Sequence, residues 1–315
     1  MTNINKTKAI INDYFKYDKL RDYLDTLDNV KIMKFHNINI HIYYNTKSTD
    51  HIDYEHINKI LKRAYIITQF IQKTFNIHLI LSPLKKEFND IYFSTKNCNS
   101  GLTIIYPNIN YPIVNIYIIR KEEFGKVIIH EIIHHITSIH SSFKLSNINK
   151  LKKHFNISPN ADIDPNETIV EFCATIFHLY QISLESNIDF YKLFKDELKY
   201  SLYKTQQLLK KQEKMHKGIW YEESHIYCYI IFKTIIMYNL CAFLKIYTYP
   251  YNDDVITDFI INHSNLLQSL QSLKSLKSLK SLKSLKSLKS SNPIKTNATY
   301  IRPFNSLCFM VHSDS

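Results

Sequence analysis

The sequence IVNIYIIRKEEFGKVIIHEIIHHI, residues 113–136, decides how the rest of the chain is interpreted. It opens with an apolar strand pattern, Val114 to Ile119, and a helical pattern follows from Lys121 to Ile139. The helical part contains His130-Glu131-Ile132-Ile133-His134, which uncharged residues precede from Val127 to Ile129. These features predict a buried helix that turns only its histidine face toward a cleft.

Two histidines four residues apart lie on one face of an α-helix. His130 and His134 can therefore offer two imidazole nitrogens to one metal ion, with Glu131 beside them. The spacing predicts one bound Zn2+, which lowers the pKa of a bound water, and a glutamate that moves the proton of that water to the leaving amine. The predicted reaction is hydrolysis of peptide bonds. The alternative is a pair of core histidines satisfied by local hydrogen bonds.

The third zinc ligand has two candidates. His140 follows His130 by ten residues, as in the three-histidine pattern HExxHxxGxxH. Thr137 stands at the glycine of that pattern, and a β-branched residue resists the positive φ required there. The second candidate is Glu167 in the apolar stretch NETIVEFCA, residues 166–174.

The helix predicted from Glu167 to Leu184 carries Glu167 and Glu171 on one face. Two carboxylates on a buried face require a cation. We assign Glu167 as the metal ligand and Glu171 as the partner that orients His130, although these two roles can be exchanged. An acidic residue in the first helical turn is also favoured by the helix dipole, but this explains only one carboxylate. The pair therefore favours Glu167 over His140.

Peptide hydrolysis also needs a donor for the developing oxyanion and a place for the substrate. His225 and Tyr229 lie four residues apart, and we assign Tyr229 as the donor, with simple core packing as the alternative in a chain with 23 Tyr. The stretch SGLTIIY, residues 100–106, predicts an edge strand to which an extended peptide can add.

The distribution of strands and helices predicts an α+β fold with two lobes and a cleft between them. The N-terminal lobe, residues 1–120, has predicted helices at 18–27 and 54–75 and predicted strands at 30–35, 38–44, 77–81, 102–106 and 114–119. The helical lobe, residues 121–263, begins with the histidine helix and continues with predicted helices at 167–184, 190–210, 224–245 and 255–261.

The C-terminal part is of low complexity. Ser-Leu-Lys repeats with a period of three from Ser269 to Ser290, which suits neither a helix nor a strand. We interpret residues 264–291 as a linker and 292–315 as a tail. Six lysines of the repeat contribute to the net charge of +12, and the other charges form no evident stripe. Nucleic acid is therefore not the expected partner.

Cysteine usage predicts a reducing, intracellular compartment. The 5 Cys are odd in number and widely spaced, without a CxxC pair, which argues against disulfides and Cys-bound zinc. The N-terminus lacks the apolar core of a signal peptide. The best membrane candidate, Tyr227 to Leu244, contains Lys233 and Asn239, so we expect a core helix and no transmembrane segment.

The stretches SGLTIIY, IYIIRKEEFGKVIIHEIIHH, NETIVEFCA and SHIYCYIIFK resemble gluzincins, the zincin metallopeptidases in which a downstream glutamate completes the zinc site. They are also similar to metallopeptidase-like proteins of large DNA viruses. The resemblance covers about the middle half of the chain, and HExxH is its only specific motif. It implies a zincin-like fold, zinc, a peptide or protein substrate, and a place in the host cytoplasm or the virion.

Two other functions are compatible with the sequence. One is an inactive zincin-fold protein with a structural or virion-associated role. The other is a basic binding protein that acts through its Lys-rich segment.

Overall fold

The computed structural model describes residues 3–48, 52–69, 71–86, 93–94, 99–104, 112–136, 143–247 and 251–272. The chain forms two compact units, residues 1–137 and 138–315. The first contains a mixed sheet with helices and the second is helical, so the predicted α+β fold class is confirmed.

The sheet of the first unit has five strands in the order β1-β2-β3-β5-β4. Strands β2, β3 and β5 are parallel, whereas β1 and β4 pair antiparallel at the two edges. The strands are β1 Asn29–Phe35, β2 Ile38–Tyr44, β3 Thr74–Ser82, β4 Gly101–Thr103 and β5 Ile113–Arg120. Strand β5 is buried on both faces, which accounts for its continuous apolar sequence.

Helices cover both faces of this sheet. Helices α1, Asn3–Phe15, and α2, Asp18–Thr26, bury residues such as Phe15 and Leu20 against the face that carries Tyr117. Helices α3, Tyr54–Thr68, and α4, Phe124–Ile133, pack together on the other face. Helix α4 therefore belongs to the unit that contains the sheet, while the sequence places it at the start of the helical lobe.

In its described residues the second unit consists of helices, among them a 3-10 helix His216–Gly218, and short turns. Its elements are α5 Leu145–His154, α6 Asn166–Ser186, α7 Phe190–Lys214, a π-helix Cys228–Phe232, α8 Lys233–Tyr238, α9 Leu240–Ile246, α10 Asp253–Asn262 and α11 Asn265–Ser272. Helix α6 is buried along most of its length and packs against α7, α8 and the π-helix.

Most predicted elements are present, but the helix predicted from Tyr54 to Phe75 is too long. It ends at Thr68, and Phe75 lies in β3. The Asn37 side chain donates to the Thr68 carbonyl at 3.0 Å and accepts from the Thr68 hydroxyl at 3.0 Å. These hydrogen bonds satisfy the helix end, and the apolar pattern beyond it belongs to a strand. Helices α1 and α5 are not predicted from the sequence.

Helix α4 is also shorter than the predicted range Lys121–Ile139. It begins at Phe124, because Glu123 has a left-handed backbone with φ of 58°. The last helical residue is Ile133, and His134 is the C-cap. Strand β4 ends at Thr103 rather than Tyr106, and both Ile105 and Tyr106 lie outside the described residues.

Two predictions for the C-terminal half are wrong in detail. The single helix predicted from Ser224 to Lys245 is broken, with a bend of 92° at Asn239 between α8 and α9. The predicted linker 264–291 begins with α11, whose Leu266, Leu267 and Leu270 are buried. The rest of the repeat and the tail lie outside the described residues.

Taken singly, none of the helices described is long and apolar enough to cross a membrane. The segments Cys228–Tyr238 and Leu240–Ile246 pass the length and composition test only as a bent pair.

A buried histidine lies in the middle of the sheet face that α1 and α2 cover. His78 is stacked between His41 and Tyr117, at centroid distances of 4.7 and 4.6 Å. Its Nδ1 lies 2.9 Å from the Tyr43 hydroxyl. Burial, helped by the charge of nearby His41 and opposed by a hydrogen bond with Asn115, lowers the pKa of His78 from 6.5 to about 3. The imidazole is therefore neutral in the folded protein.

We predict that His78 makes the protein sensitive to acid. Below pH 6.5 the unfolded chain binds a proton at His78 that the folded chain does not bind until about pH 3. The free energy of unfolding should therefore lose about 2 kcal/mol from this group between pH 6.5 and about pH 5. In His78→Phe this loss should disappear, as urea denaturation at the two pH values can show. His216→Gln, at an exposed histidine, is the control and should keep the wild-type pH dependence; an unchanged pH dependence in His78→Phe contradicts the prediction.

Candidate metal centre

Helix α4 and the turn that follows it carry four ionisable side chains into the interior. His130, Glu131, His134 and His135 are each less than 9% exposed. Apart from the half-buried Lys126, the rest of the helix is uncharged and buried, and β5 leads into it through the turn at residues 121–123. Because a buried polar group needs a partner, the contacts of these four side chains define what the helix can do.

The two histidines of the HExxH motif face each other. Nε2 of His130 lies 3.2 Å from Nε2 of His134, and their ring planes make an angle of 71°. Zinc in a tetrahedral site binds histidine nitrogens at about 2.0–2.1 Å, which places two such nitrogens about 3.3 Å apart. The observed separation therefore suits a single metal ion bound by both rings.

Glu167 on α6 belongs to the same group as the two histidines. His130, His134 and Glu167 each offer one ligand atom, and these atoms all lie within 4.8 Å of one another. Two imidazole nitrogens and one carboxylate oxygen are a donor set that zinc accepts, with a fourth position left for water or substrate. The three predicted ligands thus form a group positioned to hold a metal ion. The competing ligand His140, with Thr137, lies outside the described residues.

The carboxylate of Glu131 rests on the edge strand β4. A Cβ atom added to Gly101 would lie 2.6 Å from Oε1 of Glu131 and 2.7 Å from Cγ1 of Val127. Such distances are shorter than real contacts of a Cβ atom, so a larger residue at this position would force the carboxylate to move from where it lies. Gly101 begins β4, inside the stretch 100–106 that is predicted as an edge strand, and lies against α4.

The histidine that follows the motif has a different partner. Nε2 of His135 lies 2.6 Å from the hydroxyl of Thr103, two residues after Gly101 on β4. Its ring also meets Phe75 edge to face, at a centroid distance of 6.1 Å. His135 therefore joins α4 to the sheet, while the adjacent His134 faces His130. The sequence alone does not separate the roles of these two histidines.

Glu171, predicted to orient a histidine ligand, is buried and has a cation close to it. Nζ of Lys233 lies 3.6 Å from Oε1 of Glu171. The expected need of this carboxylate for a cation is thus met at least partly by a lysine. The assignment of Glu171 to His130 stays a prediction.

Tyr229, the predicted oxyanion donor, lies in the π-helix and is half-buried. The alternative, His225, comes just before this helical segment with a φ of 56°, and its Nδ1 lies 3.2 Å from the Asp162 carbonyl oxygen. The role of either residue stays a prediction.

Glu222 holds the start of the segment that carries Tyr229, and sequence reasoning missed it. Its buried carboxylate accepts the backbone N–H groups of Ile226 and Tyr227. Burial raises the pKa of Glu222 to about 7, although these two hydrogen bonds act in the opposite direction. Glu222 thus caps the N–H groups four and five residues after it, a role that the sequence pattern WYEES does not reveal.

Comparison of the chain with protein-family models, with curated proteins and with solved structures gives no match. The interpretation of this group of residues therefore depends on its geometry and chemistry.

The adjacent histidines of α4 provide a matched test of the metal centre. We predict that the protein binds one zinc ion and that His134→Ala weakens binding by more than 100-fold, since loss of a ligand exceeds the 10–100-fold typical of outer partners. His135→Ala should change zinc affinity less than about threefold, because this ring binds Thr103 instead.

Both variants lose one buried imidazole from neighbouring positions, so general destabilisation affects them alike. Competition with a fluorescent zinc chelator measures the affinities, and the absorption spectrum of bound Co2+ reports on the ligands. Equal losses in the two variants would show that the group of His130, His134 and Glu167 does not bind the metal.

Proposed function

We propose that this protein is a zinc-dependent metallopeptidase with a zincin-like, gluzincin-type site. The proposal rests on one observation above all: two imidazole nitrogens 3.2 Å apart and a carboxylate oxygen belong to one group that can hold a metal ion. In this proposal His130, His134 and Glu167 hold zinc. When bound, zinc lowers the pKa of water and polarises the scissile carbonyl.

Glu131 is the general base and acid of the proposed reaction. Its place in the motif, directly after the first histidine, puts it beside the two ligands on the same helix. The carboxylate is buried and its position is limited by the backbone of Gly101. A base held in one orientation accepts a proton from water and delivers it to the leaving amine without first reorganising.

Strand β4 is the proposed substrate-binding edge. It is the last strand in the order of the sheet and pairs antiparallel with β5 on one side. An extended peptide can add to such an edge through backbone hydrogen bonds. Because Gly101 of the same strand touches Glu131, a peptide paired with β4 would lie near the general base. In this proposal Tyr229 donates to the oxyanion.

We also propose that the protein acts in a reducing, intracellular compartment. Among the cysteines that the structure describes, Cys173 and Cys228 are buried thiols and Cys241 is an exposed thiol. An exposed thiol is compatible with a reducing environment.

Replacing Glu131 separates metal binding from hydrolysis. Glu131→Gln should retain one zinc ion per chain and lose at least about 100-fold in kcat, since general base catalysis contributes 10²–10⁴-fold. Zinc content of the purified protein and cleavage of β-casein measure the two properties. Wild-type protein that binds zinc but cleaves no substrate would favour an inactive zincin-fold protein, and wild-type protein without zinc would refute the proposal.

A methyl group at residue 101 of β4 should also lower kcat while zinc stays bound. Gly101→Ala is expected to displace the Glu131 carboxylate and lower kcat at least about tenfold, because misplacing a catalytic group by about 1 Å can cost 100-fold. Zinc binding should persist, because the added methyl meets Glu131 and Val127. Gly218→Ala is the control: its Cβ has no contact closer than 3.7 Å, although its φ of +66° makes it a strained position. Activity of Gly101→Ala equal to that of Gly218→Ala would contradict this role of Gly101.

A further inference from the structure

The interior of the helical unit contains a lysine, Lys233, between two carboxylates. The residue is 5% exposed. Its Nζ lies 3.6 Å from Oε1 of Glu171 and 3.3 Å from Oε1 of Glu197. Lysine is almost never buried to this extent without a charged partner. The three side chains link three helices, since Glu171 lies on α6, Glu197 on α7 and Lys233 on α8.

The two carboxylates depend on Lys233 to different degrees. The side chain of Glu197 is 24% exposed and also accepts from the Ser201 hydroxyl at 3.3 Å. The side chain of Glu171 is only 10% exposed. Because water can solvate Glu197 but hardly reaches Glu171, the buried carboxylate is the one that needs the ammonium group more.

A local irregularity of the backbone places Lys233 at this position. The π-helix Cys228–Phe232 ends immediately before it, and Lys233 is the first residue of α8. A π-helical turn inserts one extra residue, which rotates all later side chains relative to earlier ones, and such turns are frequent at functional sites. The π-helix contains Tyr229 and directly precedes Lys233, so the direction of both side chains depends on this irregular segment.

Glu171 lies one helical turn after Glu167 on α6. Side chains four residues apart are neighbours on a helix surface, with Cβ atoms about 5–6 Å apart. The ion pair with Lys233 is therefore next to the carboxylate that belongs to the metal-binding group. Outer partners of this kind fix the orientation of groups at a metal.

We propose that Lys233 is a positioning residue of the metal centre, which acts by holding the Glu171 carboxylate beside the ligand Glu167. This inference rests on the proposed zinc site. It assigns a function to a buried cation that the hydrolytic reaction itself does not use.

A purely electrostatic effect of Lys233 would change the zinc affinity in the direction opposite to the one that the positioning role predicts. If Lys233 acted only as a nearby positive charge, it would repel a metal cation and its removal would strengthen zinc binding. If it acts by holding Glu171, its removal should weaken zinc binding by about tenfold or more, as is typical for outer partners.

The test is a double-mutant cycle in the full-length protein. Zinc dissociation constants are measured by chelator competition for wild type, Lys233→Met, Glu171→Gln and the double variant Lys233→Met/Glu171→Gln. Methionine keeps the length of the side chain without its charge. We expect Lys233→Met to weaken zinc binding about tenfold and the double variant to bind zinc within about twofold of Glu171→Gln, because a mutation that acts through another residue has no further effect once that residue is replaced.

Glu197→Gln is the matched control, because it removes the other carboxylate of Lys233 and should leave zinc affinity within about twofold of wild type. Lys233→Met removes the ammonium group beside a buried carboxylate and can fail to fold. The double variant loses both charges of the pair, so its comparison with Glu171→Gln still tests the inference.

Three results would overturn it. They are unchanged or tighter zinc binding in Lys233→Met, a double variant that binds zinc about tenfold more weakly than Glu171→Gln, and a loss in Glu197→Gln as large as that in Lys233→Met. Wild-type protein that binds no zinc would instead refute the proposed function, so the two failures are distinguishable.

Discussion

The burial of ionisable side chains on α4 is the constraint on which the rest of the first unit depends. A carboxylate and three imidazoles in an apolar interior are unfavourable unless each has a defined partner. His130 and His134 face each other, Glu131 rests on Gly101, and His135 binds Thr103. Strand β4, only three residues long, therefore serves two of these four side chains.

The same physical problem recurs in the second unit and is solved in other ways. Glu222 accepts hydrogen bonds from two backbone N–H groups, whereas Glu171 shares Lys233 with Glu197. In the sequence, Glu222 precedes the π-helix and Lys233 follows it directly. Buried ionisable groups in this unit thus have their contacts just before and just after the segment whose backbone departs from regular helical geometry.

Much of the fold could be predicted because its signals are local. Strand β2 alternates in the manner of a half-buried strand, and α6 follows directly from the apolar run around Glu167. Helix ends were harder to predict from the sequence. The end of α3 depends on Asn37, a residue 31 positions away from Thr68. A side chain that caps a distant helix leaves no trace in the periodicity of that helix.

In the candidate site, too, the residues with a local sequence signal could be predicted and those defined by distant contacts could not. The motif and its spacing identify His130, Glu131 and His134, and the paired carboxylates identify Glu167. Gly101 and Thr103 could not be assigned, because their roles arise from contacts between β4 and α4 that form only in the folded protein. The role of Lys233 could not be predicted for another reason. In the sequence this lysine interrupts an apolar stretch, and such an interruption indicates that the stretch does not span a membrane. It does not indicate that the lysine pairs with a carboxylate.

The contact between Gly101 and Glu131 has a consequence for the divergence of this protein. Any substitution at Gly101 displaces a neighbour, since every other amino acid adds at least a Cβ atom that Glu131 and Val127 would have to move away from. If the proposed reaction depends on the place of the Glu131 carboxylate, descendants that retain it should keep glycine at residue 101 even where the surrounding strand drifts. A lineage that does without the reaction is free to change both, so residue 101 and Glu131 should vary together.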